Sequence, residues 1–410
     1  MQIGIDEPQN AKPGTQSVFL SQGFRPFFLM AGIYAVLPIA AWLMSVVDVA
    51  SLPGSFHGVA WHGHEMLFGF ATAAVAGFLL TAVPSWTRTP PVQGGALAVL
   101  LVIWAAGRFA MWFGWPLGAG FVAAIDLLAI PALVFLAGQP ILIQGLRRNY
   151  IVLGILGFLF FSNLLMHLEA MGATEDTANF GLRLGVFGFV LLLVLISGRV
   201  IPSFTANALR AKGIDYDVRS SPGFDKIVVL CLLAAILGDL FLNTDSGVGE
   251  KTSGYLSLLA AGALAVRMRH WGTFKSLGEP IVWVLHLGHA WIVFGFFLKG
   301  FADLTGMLPS GGAVHALTAG AMGTMIMAVM TRAALGHTGR TIKAPAPIVL
   351  AYLMVSLGTV IRILISMDFV GLSSETYAHL VIIGGTAWSS AFVLFVMVYW
   401  PILTRPRTDN

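Results

Sequence analysis

Two imidazoles and a carboxylate stand within four residues of one another in Trp61-His62-Gly63-His64-Glu65-Met66, and a second imidazole pair occurs in His286-Leu287-Gly288-His289. His57, His167, His315 and His379 stand apart from both groups. Imidazole nitrogen is the commonest biological ligand for haem iron and copper, so these positions read first as metal chemistry. His62 and His64 are two residues apart and point to different faces of a regular helix. Both can ligate one metal only if the helix starts between them. His286 and His289 are three apart and share a face. That pair suits one copper or zinc, or one haem ligand with a supporting residue behind it. A haem also needs cations for its two propionates. Arginine serves that purpose well, because its fork binds carboxylates bidentately and keeps its proton. Met66, Met322, Met325 and Met330 are soft neighbours suited to Cu(I), although methionine also fills packing gaps. His64-Glu65 begins like the zinc-protease pattern H-E-x-x-H, but Phe68 stands where the second histidine is required, and that chemistry is excluded.

The elements that must position these residues are membrane spans. The chain has 410 residues, of which 57% are hydrophobic and 10% charged, against about 25% charged in a soluble domain. Apolar stretches fall at 24–47, 62–84, 94–113, 116–138, 149–171, 178–200, 224–243, 252–268, 281–300, 310–333, 345–368 and 376–400. Each is near the length that crosses a bilayer core and must be helical, since lipid cannot satisfy an open backbone. A β-barrel would need alternating strands, whereas these stretches are apolar all round. The expectation is an all-α polytopic protein with about twelve transmembrane helices. It has an N-terminal segment 1–23, a transmembrane domain 24–400 and a tail 401–410. The longest loop is expected at about 201–223. The single Cys231 excludes an internal disulfide framework, a multi-cysteine iron–sulfur cluster and C-x-x-C-H haem attachment. No basic block or aromatic-basic module points to nucleic acid.

Charge orients the spans. Of the 23 Lys and Arg, Lys251 and Lys299 fall in one set of loops and Arg108, Arg183 and Arg362 inside spans 3, 6 and 11. All the others lie at the N-terminus, in the tail or in the opposite loops. Cytoplasmic loops carry the Lys/Arg excess, so both termini are expected on the cytoplasmic side. With that topology His57, His62, His64, His167, His315 and His379 gather toward the outer side, as do the three intramembrane arginines. His286 and His289 lie deeper, in the cytoplasmic half of span 9, and His270 and His337 belong to cytoplasmic loops. Ionisable residues inside a membrane are costly and usually functional. The outer layer therefore offers His62, His64 and His315 as ligands for a haem b, with Arg108, Arg183 and Arg362 as propionate partners. The plainer reading of Arg183 and Arg362 is ion pairing with Glu169, Asp239 or Asp368. Spans 2, 6 and 10 end in Ser/Thr/Arg-rich turns, which suggests three four-helix units.

Several motifs together resemble one family. Gly23-Phe24-Arg25-Pro26-Phe27-Phe28 opens span 1, Trp61 to Phe70 opens span 2, and Leu80-Thr81-Ala82-Val83-Pro84-Ser85-Trp86-Thr87 closes it. His315-Ala316-Leu317-Thr318-Ala319-Gly320-Ala321-Met322-Gly323 leads on to Met330-Thr331-Arg332 and His337-Thr338-Gly339-Arg340. Over nearly the whole chain this pattern resembles the NnrS family of bacterial inner-membrane proteins. The resemblance implies a haem- and copper-containing protein tied to nitric oxide, denitrification and nitrosative-stress tolerance. It directs attention to His62, His64, Glu65, His315, Arg332 and His337, then to His286 and His289. The architecture is also similar to haem–copper oxidases and their nitric oxide reductase relatives, which place haem ligands on the second and tenth of twelve helices. Spans 6 and 7 carry no histidine here and span 10 carries one, so the three-histidine copper site of those enzymes has no counterpart.

Three functions follow as expectations. The first is a haem-b protein that binds nitric oxide and removes it, with Glu65 as the catalytic proton relay and His286/His289 holding copper or a second haem. The second is a proton-coupled transporter of an anion or other small molecule. The third is a haem sensor without turnover. The sequence names no electron donor.

Overall fold

Long apolar stretches with no water to satisfy their amides fold as helices, and the computed structural model follows that rule along the chain. It describes residues 17–53, 56, 58–242, 247–309, 311–367 and 371–408, and no strand occurs among them. Twelve helical units follow in order: α1 Phe24–Val46, α2 Gly58–Thr87, α3 Gly94–Phe113, α4 Ala119–Ile143, α5 Tyr150–Ala170 and α6 Thr177–Ala211. The second half holds α7 Pro222–Leu242, α8 Val248–Arg267, α9 Pro280–Thr305, α10 Gly311–His337, α11 Ala346–Met367 and α12 Ser374–Thr404. Ten are long and apolar enough to cross a membrane. The other two, α7 and α8, have 21 and 20 residues. They carry Asp225, Lys226 and Asp239, and Glu250, Lys251 and Arg267, respectively.

The order of elements matches the expectation, and one boundary does not. The loop expected from 201 is helical to Ala211. Leu209 and Thr205 are buried there, and the Thr205 hydroxyl donates to the Ile201 carbonyl at 2.8 Å. Two inward-facing residues one helical turn apart are enough to carry the helix beyond the apolar stretch.

The centre of the bundle is the trio α2, α6 and α10, which pack on one another. In each, 72% of the most apolar window is buried, against 33–50% in α1, α3, α4, α5, α11 and α12. Two of the three are irregular in their first halves. A π-helical turn runs over Glu65–Ala71 in α2 and another over Ala316–Met322 in α10, each directly after a histidine. Such turns insert an extra residue and are frequent at functional sites. A third irregularity splits α4: its first segment ends at Asp126 and the second begins at Ala129.

Small residues let helices meet at backbone distance. A Cβ at Gly358 of α11 would meet the Gly384 carbonyl oxygen of α12 at 2.5 Å and the Trp388 backbone nitrogen at 2.9 Å. Backbone cannot yield as a side chain does. Gly358→Val is therefore expected to lower stability by about 1–3 kcal/mol through overpacking, read as a fall in apparent Tm in detergent. Gly154→Ala, where a Cβ meets nothing within 4 Å, serves as the control and is expected to leave Tm unchanged. Equal Tm for both variants would refute the close α11–α12 contact.

Candidate functional site

Because His62 and His64 project to different sides of α2, the structure divides the histidine layer into two centres. The first is a closed polar network among α1 to α5. His64 and Glu65 are fully buried, and Arg108, Asp126, Asn163, His167 and Tyr34 are each at most 5% exposed. Nδ1 of His64 lies 2.8 Å from Glu65 Oε1, and Nε2 lies 2.8 Å from Asn163 Oδ1 and 3.2 Å from Asp126 Oδ2. Arg108 forks between the two carboxylates. One Nη donates to Glu65 Oε1 at 2.7 Å and the other donates to Asp126 Oδ1. Asn163 Nδ2 and His167 Nε2 donate to Asp126 Oδ2 at 2.8 and 2.9 Å. The Tyr34 hydroxyl donates to Glu65 Oε2 and accepts from Trp112 Nε1 at 2.8 Å.

Local structure explains how these groups meet. The π turn begins at Glu65, and Trp104 Nε1 donates to the Gly69 carbonyl inside it at 3.1 Å. The absence of a side chain at Gly69 leaves room for the Tyr34 ring, which a Cβ there would overlap. Asp126 stands at the break in α4, and a Cβ on Gly107 would come within 3.2 Å of its Cα. With both carboxylates ionised, every partner of His64 is an acceptor, so both ring nitrogens donate. The tautomer and amide orientation follow from that hydrogen-bond pattern. His64, Asp126 and His167 also converge closely enough to hold a metal ion, with ligand atoms within 4.8 Å of one another.

The second centre is a cavity of about 180 Å³ between α2 and α10, walled also by α1, α6, α11 and α12. His62, His315 and Arg362 are its polar groups of interest, and Trp42, Phe70, Met322 and Trp388 line much of the rest. The His62 ring stacks on Trp42 with centroids 4.9 Å apart, and its Nδ1 is buried without a hydrogen-bond partner among the described residues. Nδ1 of His315 donates to the Gly311 carbonyl at 2.8 Å. That bond fixes the tautomer and leaves Nε2 with its lone pair. Arg362 donates to the Ser366 hydroxyl at 2.7 Å and makes no ion pair among the described residues. Asp368 and His57 lie outside the described residues.

The remaining expected residues lie elsewhere. Thr205 and Thr273 hydroxyls occupy both ring nitrogens of His286, at 2.9 and 3.0 Å. His289 Nδ1 meets the Ser197 hydroxyl at 3.1 Å, and its ring packs on Trp271. Arg183 pairs with Asp239 at 2.7 Å, and Lys299 bridges Asp239 and Asp303 at 2.5 and 2.6 Å. Glu169 instead accepts the Ala178 amide. Arg332 lies over the Phe204 ring at 3.6 Å, and His337 packs against Phe24. His379 is exposed. Of the three arginines expected at propionates, Arg108 and Arg183 are thus already held by carboxylates, and Arg362 alone faces the histidine cavity. Sequence reasoning passed over Asp126 and Asn163. Asp126 is the one ionisable residue of span 4, and the cost of burying it in lipid was the available signal.

Fold and site together define an all-α, multi-pass membrane protein that buries histidines and carboxylates at the heart of its bundle. The chain belongs to the NnrS family: the family described as NnrS protein matches residues 18–407. No curated protein matches it.

Proposed function

We propose that the protein holds a haem b in the cavity between α2 and α10 and binds nitric oxide there as part of its removal. The observation that carries this reading is the lining of one cavity by His62, His315 and Arg362. Among the described residues two imidazoles from different helices each keep a ring nitrogen without a protein partner, which is the donor set haem iron takes. Among the described residues Arg362 brings a guanidinium that no carboxylate holds, as a propionate requires. The 180 Å³ cavity accommodates a diatomic gas many times over. A porphyrin is larger than that and would also take up space continuous with solvent, the whole pocket with that open space included measuring about 1120 Å³. When bound, haem supplies a redox-active iron for a diatomic ligand.

The chain's own residues have separable tasks. His315, oriented by the Gly311 carbonyl, and His62, backed by Trp42, bind. Arg362 anchors. Trp388, Phe70 and Met322 exclude water from the cavity. Glu65, one residue from the cavity-lining Met66, relays protons toward a reduction that consumes them, taking them from the Nδ1–H of His64 2.8 Å from its Oε1. Membership of the NnrS family supports the link to nitric oxide. The charge asymmetry of the loops supports an inner-membrane location with both termini cytoplasmic.

The test is the absorbance of the purified protein, oxidised, reduced with dithionite and treated with nitric oxide. A Soret band that shifts on reduction and again with nitric oxide is the expected result. No Soret band after haem-supplemented expression would overturn the proposal and leave proton-coupled transport, read as substrate accumulation in proteoliposomes. A haem that binds nitric oxide without consuming it would reduce the function to sensing.

A further inference from the structure

We infer that His64, Asp126 and His167 form a second, closed site that binds one first-row divalent metal ion, separate from the histidine cavity. The argument starts from convergence. Asp126 Oδ2 lies 2.9 Å from His167 Nε2 and 3.2 Å from His64 Nε2. Ions that bind nitrogen and oxygen at about 2.0–2.2 Å require neighbouring ligand atoms about 3–3.5 Å apart, so the donors already stand at nearly the spacing an ion imposes. Asn163 Oδ1, 2.8 Å from His64 Nε2, adds a neutral fourth oxygen.

The surroundings are those of a ligand set. Metal-bound histidine generally gives its other ring nitrogen to a carboxylate, which fixes the ring and raises its basicity. His64 gives Nδ1 to Glu65 at 2.8 Å. Arg108 holds the far oxygen of Asp126 together with Glu65, which leaves Oδ2 aimed at both imidazoles. Phe56 covers the group, its ring centroid 5.0 Å from His64 and 5.3 Å from His167. Two backbone irregularities, the π turn after His64 and the interruption after Asp126, put these side chains in place. A simple ion-pair staple between helices needs neither.

The donor set also selects the ion. Two imidazoles, a carboxylate and an amide oxygen contain no sulfur, which favours a divalent ion over Cu(I) and over sulfur-bound clusters. Loading is an exchange on both rings: the Nε2–H of His64 gives its proton to solvent, the Nε2–H proton of neutral His167 moves to its own Nδ1, and the two freed Nε2 lone pairs form the metal bonds. No electron moves. The site is closed on all sides, so its role is to fix α2, α4 and α5 together beneath the cavity-forming part of α2.

Cobalt(II) is the probe. Full-length protein in detergent is stripped with chelator, loaded with Co(II) alone, gel-filtered and read by metal analysis and Co K-edge absorption. One retained equivalent is expected, with a nitrogen/oxygen shell near 2.1 Å, two imidazoles in the multiple scattering and no sulfur. His167→Gln keeps an amide donor toward Asp126 but loses the imidazole. It is expected to retain at least tenfold less cobalt at an unchanged gel-filtration profile. Absence of cobalt in the wild type, a shell with fewer than two imidazoles, or equal retention by folded His167→Gln would each overturn the site. Should His167→Gln fail to fold, the imidazole count of the wild type decides alone. The Soret band plays no part in this readout, so failure here and failure of the haem proposal are told apart.

Discussion

Arg108→Ala is expected to destabilise the protein by about 3–5 kcal/mol, the cost of removing one partner from a buried ion pair. Its guanidinium holds both Glu65 and Asp126, and neither carboxylate has any exposure to water. Without it, two carboxylates share a dry pocket with no guanidinium to hold them. Several kcal/mol is comparable with the whole stability of many proteins, so the variant should reach the membrane in reduced amount and show a strongly lowered apparent Tm in detergent. Because the pair is buried, moderate salt should change little. The compensating variant is as informative. Arg108→Met with Asp126→Asn removes one charge of each sign and should recover a large part of the loss, giving a coupling of about 1–3 kcal/mol in the double-mutant cycle. Wild-type stability in Arg108→Ala would mean that the fork does not neutralise both carboxylates.

The same network shows what a sequence can and cannot disclose. Helices α1 to α6 and α9 to α12 were legible because lipid leaves the backbone one choice, and a run of apolar residues marks it. The separation of His62 from His64 was legible too, since residues two apart on a helix face different ways. Which face meets which neighbour was not. Arg108 and Arg362 read alike, each a lone arginine in an apolar span. Only the packing of α3 against α2 and α4 assigns the first to carboxylates, while the second is left facing the cavity. Asp126 was hidden for a related reason. Pro131, which has no N–H for the Leu127 carbonyl four residues back, marks the interruption of α4, but the sequence is silent on which neighbours that break aims Asp126 at. The π turns are equally silent, because they conserve the apolar run and change only its phase.

The proposed haem site makes its sharpest demand on His315. His315→Ala is expected to lower haem occupancy at least about tenfold, since even residues that merely support a ligand cost 10–100-fold in metal affinity. The Soret-to-protein absorbance ratio of the purified variant reads this directly. His315 carries the prediction because its Nδ1 bond to Gly311 leaves Nε2 to the cavity. His62→Ala should either lower occupancy comparably, if both rings ligate, or preserve the haem and alter its nitric oxide spectrum, if one position is open to the gas. His286→Gln should retain haem fully, because both nitrogens of that ring are already held by threonine hydroxyls. Arg362→Ala should weaken haem retention during detergent washing while leaving the spectrum of the bound fraction unchanged, as expected of an anchor that never touches the iron. If instead His286→Gln empties the protein and His315→Ala does not, the haem belongs beside Trp271. The cavity between α2 and α10 would then need another occupant, of a chemistry that one arginine and two imidazoles can recognise.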